Sequence, residues 1–162
     1  MILIALGANL SSQNGPPAAT LRAALDVFPN KGIGVAATAP FYLSRAWPDP
    51  TDPPFVNSVA RIETAHNPVH LLAIVKEMEI AFGRTPGPRN APRLLDLDIL
   101  DYDGRIEDGP PTLPHPRLHE RGFVLVPLRD VAPDWRHPVL GRNLGELIDA
   151  LPPEARALTR LF

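Results

Sequence analysis

The sequence contains no cysteine, and this absence excludes several kinds of chemistry. A chain without cysteine cannot form a disulfide, offer a thiolate nucleophile or bind a metal through sulfur. Any metal ion must therefore be held by oxygen atoms or imidazole nitrogens. The lack of disulfides is typical of a reducing compartment and favours a cytoplasmic location.

Long apolar runs are also missing, so no segment has the roughly 18 residues that a membrane-spanning helix needs. The first ten residues, MILIALGANL, lack the basic region and the small-residue cleavage site of a secretory signal. There is no excess of basic charge either, since 18 acidic and 16 basic residues give a net charge of -2. Nucleic-acid and membrane-surface binders are normally basic. We therefore expect neither nucleic acid nor a membrane as a partner.

The sequence does have enough apolar residues for a core, together with an unusual amount of proline. Its 162 residues are 44% apolar, which predicts one domain spanning residues 1–162. The 21 prolines are about two and a half times the ordinary frequency. Most of them lie between apolar segments, so we interpret them as stiff turns and loops.

Apolar spacing predicts an alternation of strands and helices. Strand patterns cover residues 2–6, 33–43, 55–63 and 95–102. Helical spacing covers residues 21–28, 68–82 and 144–151. Proline-rich loops are predicted at residues 45–54, 84–92 and 109–116. The order strand–helix–strand–strand–helix–strand matches a ferredoxin-like α+β fold, with one antiparallel sheet and helices on one face.

The clearest chemical signal is a pair of aspartates in the segment PRLLDLDI, residues 92–99. Alternate side chains of a strand share a face, so Asp96 and Asp98 point together while the residues between them point into the core. Two carboxylates on one face repel each other, which makes a purely structural role unattractive. Their oxygens suit one or two Mg²⁺ ions, with substrate phosphates completing the coordination. The alternative is a solvated strand face, or an aspartate paired with a nearby arginine.

The loop before this strand carries positive charge only. Its charged residues are Arg84, Arg89 and Arg93, and arginine binds phosphate oxygens through a fork of donors. Together with the aspartates, these arginines are typical of a polyphosphate site that contains Mg²⁺. The alternative is a basic loop that is simply solvated.

A second cluster of basic and aromatic residues lies in the segment HPRLHERGF. Its members are His115, Arg117, His119, Arg121 and Phe123. They are candidates for the same anionic site. His115 and His119 have the spacing of a helical metal pair, but Pro116 lies between them and no H-E-x-x-H motif is present. A zinc pair is therefore not favoured, and an isolated histidine is more often structural.

Three further residues are candidates on weaker grounds. Phe55 and Asn57 share a face of the third predicted strand, where an aromatic ring and an amide suit a flat heterocycle. The alternative is a phenylalanine covering the sheet edge and an amide capping a turn. Glu79 lies at the margin of the apolar stripe of the second helix, and the pattern does not separate an acid of the site from a surface residue.

Taken in order, several segments resemble the 6-hydroxymethyl-7,8-dihydropterin pyrophosphokinase family of folate biosynthesis. They run from Leu3 to about Pro133. They comprise ALGANL (5–10), FY (41–42), FVNSV (55–59), ET (63–64), E-x-x-x-GR (79–84), PRLLDLDI (92–99), LPHPR (113–117) and RGFVL-x-PL (121–128). The PRLLDLDI segment and the last two segments are, in combination, highly specific.

The resemblance implies a ferredoxin-like α+β domain with long mobile catalytic loops. The implied reaction transfers the β,γ-diphosphate of ATP to the hydroxymethyl oxygen of the reduced pterin and releases AMP. Asp96 and Asp98 would hold two Mg²⁺ ions. Arg84 and Arg93 would be catalytic residues of a loop that closes on the triphosphate, and Arg93 would be the main source of charge stabilisation.

The resemblance also implies where the two substrates bind. The pterin would lie between Phe55 and Phe123, with Asn57 on its edge and main-chain contacts from Ser44 and Trp47. The implied ATP-binding residues are Glu79, Arg84, Arg93, Ile99, Thr112, His115 and Arg121. Of these, His115 and Arg121 would contact phosphates, while Ile99 and Thr112 would lie on the adenosine side.

A few positions depart from the family pattern. Ala8 replaces a common serine, Asn90 and Ala91 replace tryptophan and glycine, and Pro86 replaces a basic residue. A stiffer loop with fewer basic groups predicts slower closure and weaker ATP binding, with the reaction unchanged. We expect a monomer.

Two other classes of protein are less consistent with the sequence. A ferredoxin-like RNA-binding module needs exposed aromatics and a basic sheet face, which this chain lacks. A Mg²⁺-dependent phosphohydrolase needs the carboxylates and arginines but no pterin sandwich. Binding of a reduced pterin in the presence of an ATP analogue separates these alternatives.

Overall fold

Strands and helices alternate through the first two thirds of the chain, as the apolar spacing predicts. The computed structural model describes residues 1–47, 49–88 and 91–161. The strands are β1 (Ile2–Ala8), β2 (Ile33–Thr38), β3 (Tyr42–Ser44), β4 (Phe55–Thr64), β5 (Asp96–Tyr102), β6 (Glu107–Asp108), β7 (Thr112–Leu113) and β8 (Thr159–Arg160). The helices are α1 (Pro17–Val27), α2 (Pro68–Ala81), α3 (Gly122–Val131), α4 (Leu144–Asp149) and α5 (Pro153–Arg156). The predicted α+β class is confirmed.

One antiparallel sheet connects these elements. Its order is β5–β1–β4, and the far side of β4 pairs with both β2 and β3. β8 adds to the outer edge of β3. The segment predicted as one strand over residues 33–43 forms two strands, because Pro40 has no amide hydrogen and interrupts the ladder.

Helices cover both faces of the sheet, which corrects the prediction of helices on one face. α1 and α2 pack on a core that includes Ile4 and Leu71. α3 and α4 pack on the opposite core, which includes Leu3 and Leu125. The apolar pattern in α3 is short and contains Pro127, which disguises the helix in the sequence.

The predicted loops agree with the structure in two of three cases. The described parts of residues 45–54 and 84–92 form no helix or strand. Residues 109–116 are only partly a loop, because β7 lies within them and pairs with β6. Among the described ranges, no helix has the length and apolar character needed to cross a membrane.

Trp135, just beyond α3, connects the second helical layer to the sheet. Its indole N–H donates to Asp101 Oδ2 at 2.6 Å, and Asp101 Oδ1 accepts the Gly104 amide at 2.8 Å. Both Trp135 and Asp101 are buried. Asp101→Ala leaves the indole N–H unpaired, so we expect the free energy of unfolding to fall by about 1–3 kcal/mol.

Urea unfolding followed by tryptophan fluorescence measures this effect. Asp134→Ala, at an exposed position beside Trp135, is the matched control. Equal stability of the two variants would contradict a stabilising role for the Trp135–Asp101 hydrogen bond.

His137, in the same region, is expected to make folding sensitive to acid. Its Nδ1 accepts the amides of Val139 and Leu140, each at 3.2 Å. Burial, followed by the charge of His119, lowers the pKa of His137. Unfolded histidine binds a proton at about pH 6.5, so below that pH the unfolded chain holds more protons than the folded chain. The free energy of unfolding should therefore fall as the pH drops from there towards the lower pKa of folded His137.

A pH series of urea midpoints tests this prediction on the wild type and His137→Gln. The substitution removes one histidine with a lowered pKa, so the loss of stability between about pH 7 and pH 5 should become smaller. An unchanged pH dependence would show that His137 does not contribute to it.

Candidate active site

The candidate site lies on the sheet face that α3 and α4 leave partly uncovered. Strand register places Gly7 between Asn57 and Asp96, and places Asp98 opposite Ala5. Paired residues of neighbouring strands share a face, so the two aspartates point together. The leucines and the isoleucine between and beside them lie in the opposite core. The alternation predicted for this strand is therefore confirmed.

The two aspartates are partly exposed, and each faces a basic side chain. Arg84 Nη1 lies 3.1 Å from Asp96 Oδ1, and Arg121 Nη1 lies 3.4 Å from Asp98 Oδ2. Burial, and then the negative charges of Asp98 and Glu79, raises the pKa of Asp96. The charges of Asp98 and Glu79 thus make the ionised form of Asp96 less favourable, and a cation at this position would offset them.

Glu79 is buried, so the surface alternative for this residue is wrong. Its side chain is 1% exposed in the last turn of α2. Oε2 pairs with Arg84, and Oε1 lies 2.8 Å from Lys76 Nζ. Oε1 also accepts the main-chain N–H of Leu97 at 2.7 Å, which connects the end of α2 to β5, the edge strand of the sheet.

His115 and Arg121 lie together at the second aspartate. His115 Nε2 is 3.7 Å from Asp98 Oδ2, and the main-chain N–H of His115 donates to the Leu100 carbonyl at 2.8 Å. Burial is the main cause that lowers the pKa of His115, and the charge of Asp98 opposes it. The lowered pKa favours the neutral imidazole, and Arg121 is the cationic group beside Asp98. His119 lies elsewhere, against His137, with ring centroids 5.5 Å apart.

Arg93 is anchored through its main chain, while its guanidinium lies away from the aspartates. Its amide donates to Asn9 Oδ1 at 2.7 Å, and its carbonyl accepts the amides of Asn9 and Leu10. Its Nη2 donates to the Pro88 carbonyl at 3.2 Å. The structure thus brings Arg84 to the acidic pair and leaves Arg93 on the loop.

Asn9 and Lys76 lie at the candidate site, and no pattern in the sequence indicates a role for either. Asn9 joins two loops to the end of β1, since its Nδ2 also donates to the Pro53 carbonyl at 2.9 Å. The available signal was a polar amide, able to donate and accept, directly after a buried strand. Lys76 is one of two lysines beside 14 arginines, a bias that by itself indicates no contact.

Asn57 and Phe55 form the other half of the uncovered face. Asn57 Nδ2 donates to Ser44 Oγ at 2.8 Å, and its Oδ1 accepts no hydrogen bond from the described residues. A Cβ at Gly7 would lie 3.4 Å from Asn57 Oδ1 and 3.9 Å from Phe55 Cδ1. Glycine therefore keeps the space next to this amide and this ring free of a side chain.

The remaining aromatic candidates are exposed. Phe123, near the start of α3, is 37% exposed, and the guanidinium carbon of Arg121 lies 5.6 Å from its ring centroid. Arg121 therefore lies between Phe123 and the acidic pair. Trp47 is 66% exposed in the loop that follows β3.

Two residues of the implied ATP group lie outside the acidic cluster. The Ile99 side chain is 4% exposed in the core beneath α1 and α2, so only its main chain on the edge strand is left to face a ligand. Thr112 is exposed on β7, and its Oγ1 donates to the Asp108 carbonyl at 3.3 Å. β7 lies beside β5.

The loop before β5 is described in part. Arg89 and Asn90, both singled out in the sequence, lie outside the described residues, and Pro86 is exposed. Within the described part of the chain, no group of three or more His, Asp or Glu side chains could hold a metal ion. A metal at the aspartate pair therefore needs further ligands from water or substrate.

The chain is similar to one family along most of its length. A family model described as 7,8-dihydro-6-hydroxymethylpterin-pyrophosphokinase matches residues 3–133. A 2-amino-4-hydroxy-6-hydroxymethyldihydropteridine pyrophosphokinase from Pseudomonas aeruginosa is 39% identical over 94% of this chain and 93% of its own. Proteins of the same name from Methylorubrum extorquens and Haemophilus influenzae are 37% and 38% identical. Their matches cover 89% and 81% of this chain, and 91% and 81% of their own.

Proposed function

Because this chain belongs to the 7,8-dihydro-6-hydroxymethylpterin-pyrophosphokinase family, we propose that it transfers the β,γ-diphosphate of ATP to the hydroxymethyl group of 6-hydroxymethyl-7,8-dihydropterin. The products are AMP and the pterin diphosphate, an intermediate of folate biosynthesis. The observation that carries the proposal is the strand register, which places an aspartate pair with its arginines next to a glycine, an amide and an aromatic ring on one face of the sheet. A polyphosphate and a flat heterocycle match these two halves.

Asp96 and Asp98 would hold Mg²⁺, and we propose two ions. Carboxylate oxygens are ligands that Mg²⁺ prefers, and substrate phosphates and water would complete its octahedral coordination. The raised pKa of Asp96 supports this assignment, because its causes include the charge of Asp98, which a bound cation would offset. When bound, the ions neutralise phosphate charge and lower the pKa of the substrate hydroxyl.

The basic residues would bind the triphosphate. Arg121 and neutral His115 would contact phosphate oxygens beside Asp98, and Arg84 would stabilise charge on the transferred group. Arg93 would reach the triphosphate when its loop moves, exchanging the Pro88 carbonyl for phosphate oxygens. On the adenosine side, we propose contacts from Thr112 and from the main chain of Ile99.

The pterin would lie beside Gly7, next to Asn57 and Phe55. Asn57 Oδ1 would accept hydrogen bonds from the amino group or ring N–H of the pterin, and Ser44 Oγ fixes the orientation of this amide. Phe55 and Phe123 would stack on the two faces of the ring. Main-chain contacts from Ser44 and Trp47 remain predictions.

The chemistry is a displacement at the β-phosphorus. The hydroxymethyl oxygen forms a bond to this phosphorus, the bond to the oxygen that bridges the α-phosphorus breaks, and AMP leaves with that oxygen. The hydroxyl proton is released. The protein contributes position and electrostatic stabilisation rather than a covalent intermediate.

Product analysis tests the proposed function. The purified protein is incubated with Mg²⁺, ATP and 6-hydroxymethyl-7,8-dihydropterin, and AMP is separated from ADP. We expect AMP and pterin diphosphate in equal amounts. ADP would indicate simple phosphoryl transfer, pterin-independent release would indicate a hydrolase, and either result would contradict the proposal.

We further propose that the protein acts as a monomer in the cytoplasm. The absence of cysteine is typical of a reducing compartment.

A further inference from the structure

Glu79 is a charged residue in the interior, at the end of α2. Its side chain is 1% exposed. A carboxylate in such a position is costly unless cations and hydrogen-bond donors surround it. Its two oxygens have separate partners, and both sets of partners belong to the acidic site.

The first oxygen fastens the strand that carries the two aspartates. Glu79 Oε1 accepts the main-chain N–H of Leu97 at 2.7 Å and lies 2.8 Å from Lys76 Nζ. The same ammonium group donates to the Leu97 carbonyl at 3.1 Å. Leu97 separates Asp96 from Asp98 on the edge strand β5. Two side chains of α2 therefore hold both main-chain groups of the residue between the proposed metal ligands.

The second oxygen fixes Arg84. Glu79 Oε2 pairs with Arg84 Nη1, the same nitrogen that lies 3.1 Å from Asp96 Oδ1. The Arg84 amide also donates to the Glu79 carbonyl at 3.0 Å. Gly83 makes this return possible, because its φ of +98° is one that glycine adopts without strain. Glu79 therefore holds Arg84 at both its main chain and its guanidinium.

We propose that Glu79 is a positioning residue that acts on the reaction through Arg84 and β5 and touches neither substrate. Its oxygens already have internal partners, so it has no free face for ATP. This assignment rests on the proposed function for its effect on turnover, and on the contacts alone for its effect on Arg84. This role differs from the direct contact between Glu79 and ATP that the family resemblance implies.

A double-mutant cycle tests the proposal. Glu79→Gln keeps the shape and an acceptor for Leu97 but removes the charge that holds Arg84 and Lys76. We expect kcat/KM to fall by about 10- to 100-fold in this variant. In an Arg84→Ala background, the same substitution should cost less than about threefold, because the glutamine still accepts the Leu97 N–H on β5 and the contact with Arg84 is already gone. Glu77→Gln, exposed on the same helix, is the control and should match the wild type.

Side-chain nitrogen NMR of Arg84 supplies a readout that does not depend on activity. The guanidinium should rotate slowly in the wild type and in Asp96→Ala, since Glu79 holds it in both. It should rotate freely in Glu79→Gln. Should Glu79→Gln fail to fold, the comparison of wild type with Asp96→Ala still decides, with Arg129, exposed on α3, as the freely rotating reference.

Two results would overturn the proposal. One is a loss of kcat/KM from Glu79→Gln in the Arg84→Ala background that is as large as its loss in the wild type. The other is a guanidinium that is released in Asp96→Ala, or that stays fixed in Glu79→Gln. An inactive wild type with a fixed Arg84 guanidinium would contradict the proposed function and leave the positioning of Arg84 established.

Discussion

Asp96→Asn is expected to lower kcat/KM for pterin-dependent AMP formation by about a thousandfold. The substitution keeps the shape of the side chain but replaces an anionic oxygen ligand with a neutral amide, which binds Mg²⁺ less well. Asp98 is the neighbouring carboxylate on this face, so half of the anionic charge of the pair is lost. Raising the Mg²⁺ concentration should restore part of the activity.

The same substitution should leave the metal-free protein at least as stable as the wild type. Burial and the charges of Asp98 and Glu79 raise the pKa of Asp96, so the ionised form is disfavoured in the folded state. Asparagine removes this charge and keeps an oxygen that Arg84 can reach. For the same reason, the contribution of Asp96 to the free energy of unfolding should rise as the pH falls from neutral towards about 3.9, where unfolded aspartate titrates.

Activity and stability must therefore be measured on the same preparations. The rate of AMP formation measures activity, and urea unfolding in the presence of a metal chelator measures the stability of the metal-free protein. Asp108→Asn, exposed on β6, is the control for a surface aspartate and should change neither. Activity within about tenfold of the wild type, or a marked loss of metal-free stability, would show that Asp96 is a structural ion-pair partner of Arg84 rather than a metal ligand.

The aspartate pair could be predicted from the sequence because the two-residue period of a strand is a local property. Asp96 and Asp98 share a face in any strand, whatever lies next to it. The same holds for Phe55 and Asn57 on β4. The strand period does not show that these two pairs lie next to each other on the sheet. That depends on the register of three strands, which brings Gly7 between Asn57 and Asp96. Local patterns do not indicate that the two pairs belong to one site, and that expectation came from the family resemblance.

The surroundings of Glu79 could not be predicted, because they depend on tertiary packing. Its position at the margin of the apolar stripe of α2 fits either an exposed or a buried side chain. The main chain of β5 favours the buried position, because the Leu97 N–H donates a hydrogen bond to the Glu79 carboxylate. Similarly, Pro127 hides α3 from a period-based analysis, although the helix has enough buried neighbours to form around it. Contacts between segments that are far apart along the chain produce no periodic pattern in the sequence, so apolar spacing does not predict them.

Arg93→Ala is expected to slow turnover by about a hundredfold or more, the size of a lost electrostatic contact in the transition state. Arg93 is held in place by its main chain, through Asn9 and Leu10, so truncation of the side chain should not unfold the loop. Its guanidinium reaches the Pro88 carbonyl on an exposed loop. Exchange of that contact for phosphate costs little, which suits a group that moves onto the triphosphate.

Three substitutions separate charge from geometry in this step. Arg93→Lys keeps the charge but loses the forked donors, so its rate should lie between those of the wild type and Arg93→Ala. Arg136→Ala, which also removes a guanidinium bonded to one carbonyl oxygen, should leave turnover unchanged. Single-turnover and steady-state rates of Arg93→Ala near those of the wild type would contradict the role. The charge stabilisation would then belong to Arg84 and Arg121, the arginines already at the aspartate pair.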